Sequence, residues 1–553
     1  MIRALLPLLL FSASTLPLFA QISVGGLPYS VRMGLLEAHV PTVQPPAFDA
    51  VTVAAEDKAR ADAGSLPMDG RILPLSISPS THGVWTELSN GDRFWRVRIT
   101  SLGALATELF FEGFRLPSSG IMHVMNEDGS EVMGGYTSVN NKESGLFTTS
   151  QIKGSSCIVE YYEPIASAGA GLFTITGVGH AYRFIDEAKA QDCEVDVNCA
   201  PEGTGQTAQR DGVVRIRVKE GTQIGWCSGA LINNRDQDCK AYYLTAFHCG
   251  VNSSIADFTL WKFYFKYQRP ACGSGTASTG TSVTGCVKRA DSNDGGGSTG
   301  SDFLLLEGED AIPASYDPYW FGWDANNVNP GSGVRSIHHP DGDEKKISTV
   351  NVIQSSSQWN GISAQTHWRV TWAGTTNGWG VTEGGSSGSP IYNNSGHIVG
   401  TLTGGASFCN SVQPGGQLQP DYYGKLSYHW ESNGGPATDD LKNFLDPSNT
   451  GIKVMNGSYG PCGTLSVQDA QVVDAPLVSP NPASEQVRIT LPQGLKDASR
   501  IEVLDLSGRL VSDDRISSDS ILLDVSGLSN GTYVIRVFSG KHMSGGARLT
   551  VVH

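Results

Sequence analysis

Charge is scarce in this chain. Only 17% of its 553 residues are Asp, Glu, Lys or Arg, and the 54 acidic side chains outnumber the 39 basic ones. The resulting net charge of -15 argues against nucleic acid or an acidic membrane surface as partner, because an acidic protein surface repels both. Basic substrates suit such a field better, although acidity often serves only solubility. Long apolar runs are also missing. Beyond the first 20 residues no segment has 18 uninterrupted apolar positions, which excludes a helical membrane span from the mature part. No CxxC pair exists, and the one short cysteine spacing, Cys193 to Cys199, has no His at a zinc-ligand interval. Neither metal nor cofactor is expected. Long helical patterns are rare too: 66 Gly, 27 Pro and many Ser, Thr and Asn clusters favour short strands joined by turns, an all-β chain.

What is present divides along the chain. At about 150 residues per domain the length allows roughly three or four units. Met1, Ile2 and Arg3 precede an apolar stretch from Ala4 to Leu10, and a small residue, Ala20, stands before Gln21. This is a signal-peptide pattern over 1–20, so export through the periplasm to the cell surface or medium is expected. Residues 21–75, rich in Ala, Pro and Val, show no periodicity and read as a loose arm. From about 80 to 188, alternating segments such as RFWRVRITS and SCIVEYYEP predict a β-sandwich. The Cys, Trp and His residues concentrate in 190–462. A linker over 463–474 leads to 475–553, a small sandwich with neither Cys nor a His cluster, where no chemistry is expected. Nine of the ten cysteines lie between 193 and 462, which in an exported chain reads as a disulfide framework confined to one domain, with Cys157 outside it.

Three segments of 190–462 carry chemistry. EGGSSGSPIY puts Ser387 in a Gly/Ser turn between extended runs. A serine nucleophile needs such a turn, which aims its hydroxyl outward while the N–H groups of Gly385 and Ser387 converge on a developing oxyanion. Alone, it is also an ordinary turn. YYLTAFHCG ends a β-rich run in His248 beside Cys249, a rigid corner for a general base. TGSDFLLLEG opens an apolar strand with Asp302, suited to holding an imidazole. The order His248, Asp302, Ser387 is the chymotrypsin order, with spacings that fit two successive β-barrels.

These segments, with DCEVDVNCAPEG, CSGALINN, SIHHPDGDEKKIS and DYYGK, make residues 190–462 resemble the lysyl endopeptidases, secreted bacterial serine proteases of chymotrypsin fold. The resemblance implies the triad His248, Asp302 and Ser387 and the disulfides Cys193–Cys409, Cys199–Cys272 and Cys227–Cys249. Cys239, Cys286 and Cys462 fall outside that pattern. A Cys239–Cys286 bridge is compatible with it and leaves one thiol over. The resemblance also places Asp421 at the floor of a specificity pocket. A buried carboxylate there needs a cationic side chain, hence Lys, with Arg as the weaker alternative. Without the resemblance Asp421 is one more loop Asp. The family's pocket aromatic falls on Trp359, otherwise a core residue. Where the family carries a His, this chain has Thr403, which weakens the expectation of strict Lys choice. Gly404 and Gly405 would let an extended substrate pair as an added strand. The His338–His339 pair invites a metal reading, but the family shares the pair without needing metal.

The region 80–188 resembles the family's propeptide, which makes 21–189 a proregion removed before Cys193, with Lys189 as the cleavage point. The last domain, with PNP, LDLSGRLV and GLSNGTYVIRV, resembles the sorting domains of the bacterial type IX secretion system, whose machinery would be its partner. Protein or peptide substrates with lysine at the cleaved bond follow from the leading reading. The alternatives are the same fold with arginyl or glutamyl preference, or a catalytically silent binding module on a protease scaffold. Oligomeric state leaves no mark in the sequence.

Overall fold

A computed structural model describes residues 23, 25–36, 39–62, 65–183, 193–278, 281–356, 359, 365–409 and 415–462, and in the C-terminal part 476–491, 500–505, 510–515, 520–539, 542–543 and 547–553. The expected signal peptide, Lys189 and the linker over 463–474 lie outside the described residues. The chain divides into two compact units, 1–462 and 463–553.

Within the first unit the all-β expectation holds, and the strands of 213–425 close into two barrels. Val213–Glu220 and Gln223–Leu231 form a hairpin, with Val213 opposite Ala230 and Glu220 opposite Gln223. Gln223–Leu231 pairs onward with Tyr242–Thr245, that strand with Leu304–Gly308, and that one with Cys286–Asp291. Just upstream on the same run, Ser282–Thr284 pairs with Lys262–Tyr264, which returns to Val213–Glu220 and closes the ring. Alternate side chains Val214, Ile216 and Val218 point into this barrel with Tyr243, Phe263, Leu304 and Leu306, as the two-residue period of a strand requires.

The second ring runs Arg335–His338, Lys346–Ser356, His367–Trp372, Asp421–Lys425, His397–Gly405, Pro390–Tyr392 and back to Arg335–His338. Trp368, Val370, Trp372, Ile391, Leu402 and Tyr423 fill it. A separate apolar cluster takes Val213, Ala230, Leu244 and Leu305 from the first barrel and Ile337, Ile347 and Ile398 from the second. The barrels are therefore packed back to back, and the chain segments at that seam are held from both sides.

The arm expected over 21–75 is not loose. Ala50–Asp62, whose Ala, Glu, Lys and Arg content suits a helix, is helical, and Met68–Ile77 is a ten-residue strand. That strand pairs with Leu172–Ala181 in one sheet of a sandwich, while Arg93–Thr100, Ser156–Glu163 and Ile121–Met125 form the other. Trp95, Phe111, Phe114, Tyr161 and Phe173 pack between them, with the free thiol of Cys157 buried among them. Met68–Ile77 also pairs with the first barrel, Arg71 facing Gln223 and Met68 facing Gly225. Leu66 and Met68 join the first barrel's own core. Beside them Arg217 of the barrel, 2% exposed, is clamped between Asp69 (2.6 Å) and Glu108 (3.0 Å) of the N-terminal region. Breaking such a buried pair costs about 3–5 kcal/mol, so this contact is not incidental.

Four disulfides are present: Cys193–Cys409, Cys199–Cys272, Cys227–Cys249 and Cys239–Cys462. The Cys239–Cys286 bridge does not form. Cys286 faces the interior of the first barrel, whereas Cys239 sits on the turn before Tyr242, where the pairing of Tyr319–Trp320 with Ser458–Tyr459 delivers Cys462.

The C-terminal unit is a small sandwich. Leu477–Ser479, Gln486–Thr490 and Ser520–Asp524 form one sheet, and Arg500–Asp505, Leu510–Arg515, Gly531–Ser539, His542–Met543 and Ala547–Val551 the other. Val487, Ile489, Val503, Ile535, Val537 and Leu549 are its core.

Candidate active site

His248 and Asp302 come from the ends of adjacent strands. Thr245 pairs with Leu304, so the residues just beyond Thr245 and just before Leu304 are neighbours by register. After Ala246 a single helical turn, Phe247–Cys249, presents His248, and the Cys227–Cys249 disulfide ties that turn to the neighbouring strand. Asp302, 0% exposed, places one oxygen 2.7 Å from His248 Nδ1 and accepts the His248 backbone N–H with the other at 3.0 Å. The Nδ1 proton is thereby directed at Asp302, which leaves Nε2 as the lone-pair nitrogen. Burial pulls the imidazole pKa down, but the charge and hydrogen bond of Asp302, with Asp294 and Glu220 behind it, outweigh burial and raise it above 6.5.

Asp302 sits at φ +58°, a left-handed backbone uncommon outside Gly and Asn. Its N–H donates to Asp294 Oδ2 at 2.7 Å, and Asp294 Oδ1 accepts from Gly297 at 3.0 Å. Burial and the nearby Asp302 charge both push the Asp294 carboxyl up.

Ser387 stands on a turn inserted between the barrels. Its carbonyl accepts from Ser228 N at 2.9 Å, and the Ser228 hydroxyl donates to the Gly385 carbonyl at 2.9 Å. Gly388, at φ +79°, lies against Ala246 and the Thr245 hydroxyl, so close that a Cβ would collide with both. The turn is thus seated on the segment that presents His248. The peptide N–H groups of Gly385 and Ser387 donate to no protein acceptor among the described residues. No hydrogen bond joins Ser387 Oγ to His248 Nε2 among them either. In free enzymes such bonds are commonly long and tighten on substrate.

Asp421 opens the strand Asp421–Lys425 at 1% exposure. One oxygen accepts from Trp372 Nε1 (2.7 Å), Thr382 Oγ1 (2.7 Å) and Ser407 Oγ (2.6 Å), and the other from Ser407 N (3.1 Å). Burial raises its pKa against the pull of these donors. A Cβ on Gly405 would land on Asp421 Oδ1, so the glycine opens the way to the carboxylate. Gly404 and Gly405 pair with Tyr422 and Asp421 on one edge, while Pro390–Tyr392 stops opposite Thr401, leaving their other edge without a strand partner among the described residues. Trp359 leans on Gly404 and Gly297 and meets the Tyr422 ring edge-on at 5.8 Å. Thr403 hydrogen-bonds His367 Nε2 at 3.1 Å, so an imidazole from the strand on the far side of Asp421–Lys425 reaches the position where sequence reading found none. Burial lowers the His367 pKa to about 4.

His338 and His339 are fully buried: His338 engages both ring nitrogens, with Ser386 and Ser348, whereas His339 engages Nδ1 with the Asp343 carbonyl and its Nε2 has no partner among the described residues. Sequence reading missed Asp294, His367, Trp372, Thr382 and Ser407. Trp372 and Thr382 stand 49 and 39 residues from Asp421, and nothing local marks either as its donor.

Residues 188–424 match the family model "Lysyl endopeptidase, C-terminal domain", and residues 477–548 match "Secretion system C-terminal sorting domain". A lysyl endopeptidase of Pseudomonas aeruginosa is 32% identical over 243 residues, which are 42% of this chain and 49% of that protein. The chain thus spans about half the length of that relative. Among solved structures, the protease Anisep from Arthrobacter nicotinovorans is 16% identical (39% of this chain, 90% of that one, TM-score 0.27). An inactivated protease paralogue of the scabies mite is also 16% identical (40% and 92%, TM-score 0.27).

Proposed function

From a chain whose residues 188–424 are a domain of the lysyl endopeptidase family and whose residues 477–548 are a secretion sorting domain, we propose a secreted serine endopeptidase that cleaves on the carboxyl side of lysine. Ser387 Oγ attacks the scissile carbonyl as His248 Nε2 takes its proton. Asp302 keeps the imidazole oriented and stabilises its cation. The N–H groups of Gly385 and Ser387 receive the oxyanion, His248 returns the proton to the leaving amine, and water releases the acyl-enzyme by the reverse sequence.

The single observation that carries this reading is the 2.7 Å Asp302–His248 pair on the segment against which the Ser387 turn is seated. Lysine choice is supported by Asp421, a buried carboxylate with four neutral donors and no cation within ion-pair distance among the described residues. Trp359 would cover the substrate's alkyl stem. The free edge at Thr403, Gly404 and Gly405 would pair with its backbone.

The proregion reading rests on the strand and the charged clamp that Met68–Ile77, Asp69 and Glu108 supply to the first barrel. In it the precursor is inactive until cut after Lys189. The sorting domain would engage the type IX machinery after passage through the periplasm. A lysyl ester and a serine-directed phosphonyl fluoride test the core of the proposal. Hydrolysis with the label mapped to Ser387, and loss of both in a folded Ser387→Ala protein, is the expected outcome. Undiminished turnover in that variant sinks the proposal.

A further inference from the structure

We infer that His338 is a positioning residue for the oxyanion site, a neutral imidazole strut that fixes the 383–387 turn through Ser386. The inference rests on the serine-protease reading above and goes beyond it by assigning work to a histidine outside the triad.

The hydrogen-bond directions around His338 resolve by counting protons. Ser348 Oγ donates to the Val381 carbonyl at 3.1 Å, so its one proton is committed. It therefore accepts from His338 Nε2 at 2.9 Å, which puts the imidazole proton on Nε2. Nδ1 then carries a lone pair and accepts the Ser386 hydroxyl proton at 2.8 Å. Ser386 Oγ in turn accepts from the Glu383 N–H at 3.2 Å. The chain Glu383, Ser386, His338, Ser348, Val381 is fully satisfied, and one neutral ring ties both the approach to the turn and the residue before the nucleophile. The charged groups around the ring are Glu194, 3.9 Å from Nε2, and Lys346 on the adjacent strand, with Glu383 beside Glu194. Burial, helped by Lys346, pushes the His338 pKa down to about 3, in keeping with a neutral ring at working pH.

The neighbouring backbone completes the frame. The His339 N–H donates to Ser228 Oγ, which holds the Gly385 carbonyl, and the Asp341 N–H donates to the Gly384 carbonyl at 2.5 Å. In a trans peptide the C=O and the following N–H point opposite ways. Fixing the Gly384 carbonyl on Asp341 therefore turns the Gly385 N–H away from it. Fixing the Ser386 carbonyl on the Ser389 N–H (3.0 Å) does the same for Ser387. Both N–H groups are without an acceptor among the described residues. His338 sets Ser386, the residue between them. Both His338 nitrogens are thus engaged by serine hydroxyls.

The test uses the purified protein with His338→Ala, His338→Gln, Ser386→Ala and the double variant His338→Ala/Ser386→Ala. Removing an oxyanion donor outright costs about 10²–10³ in rate. Loosening one should cost about 10- to 100-fold in kcat for a lysyl amide, with KM within about twofold. Affinity for a lysyl peptide aldehyde, which forms the tetrahedral oxyanion, should fall by the same factor as kcat. His338→Gln should recover part of the loss, and the double variant should be no worse than the worse single one. Unchanged kcat in a folded variant, unchanged aldehyde affinity, or additive losses would each overturn the inference. Should His338→Ala fail to fold, Ser386→Ala gives the same readouts with the ring in place. A wild-type protein inactive on lysyl esters would instead defeat the protease reading itself.

Discussion

Two buried carboxylates define the two halves of the site, and they are treated in opposite ways. Asp302, in the first barrel, meets an imidazole: it takes both the ring N–H and the backbone N–H of His248, and a second carboxylate, Asp294, holds its own peptide. Asp421, in the second barrel, meets only neutral donors from Trp372, Thr382 and Ser407. In the proposed mechanism the first charge is answered inside the protein when His248 becomes protonated during turnover. The second has no cation of its own among the described residues, and a charge buried without one is costly. In the proposed mechanism one carboxylate serves the chemistry, and the other awaits a substrate.

Substitutions should separate the two roles. The largest effect is expected from Asp302→Asn, which presents a donor where His248 needs an acceptor and favours the wrong tautomer. A drop of about 10⁴ in kcat with KM nearly constant is expected from steady-state kinetics on lysyl amides. Next, Asp421→Ser should cost about 10²–10³ in kcat/KM for lysyl substrates, with the turnover of uncharged substrates preserved or raised. An equal loss on both substrate classes would show that Asp421 only supports the fold.

Smaller effects concern pH. His248 has a raised pKa, and the base must be neutral, so kcat/KM should fall as pH drops through a value above 6.5. Asp294→Asn removes one of the charges that raise it. The acid limb should move down by roughly half a pH unit, while Asp421→Ser leaves that limb in place. The Asp421 pKa is itself raised by burial, so lysine preference, read as KM, should weaken toward acid at a pH above the ordinary aspartate value of 3.8.

The sequence carried much of the first half of the site and little of the second. His248, Asp302 and Ser387 each end or open a strand or sit in a Gly/Ser turn, so local pattern and chain order were enough to single them out. Asp421 also opens a strand, but no chain order ties it to a role, and its proposed place in the pocket came only from family resemblance. Its donors Trp372, Thr382 and Ser407 are assembled by the closure of the second barrel. The strut at His338 was invisible for the same reason: Ser386 is 48 residues away. Among the cysteines, Cys239 could not be matched to Cys462 because 223 residues separate them and the pairing depends on a two-residue strand contact. The helix Ala50–Asp62 was missed because its weakly amphipathic composition looks like a linker until the strand that follows it docks on the barrel.

The most direct test of the division between the two carboxylates compares lysyl and norleucyl esters, which share a four-carbon stem and differ by the terminal ammonium, on wild type, Asp421→Ser and Asp302→Asn. Wild type should prefer lysyl by about 10²–10³ in kcat/KM. Asp302→Asn should keep that ratio at a far lower rate, and Asp421→Ser should lose the ratio while keeping the rate on norleucyl. A lysyl preference that survives Asp421→Ser would contradict the account.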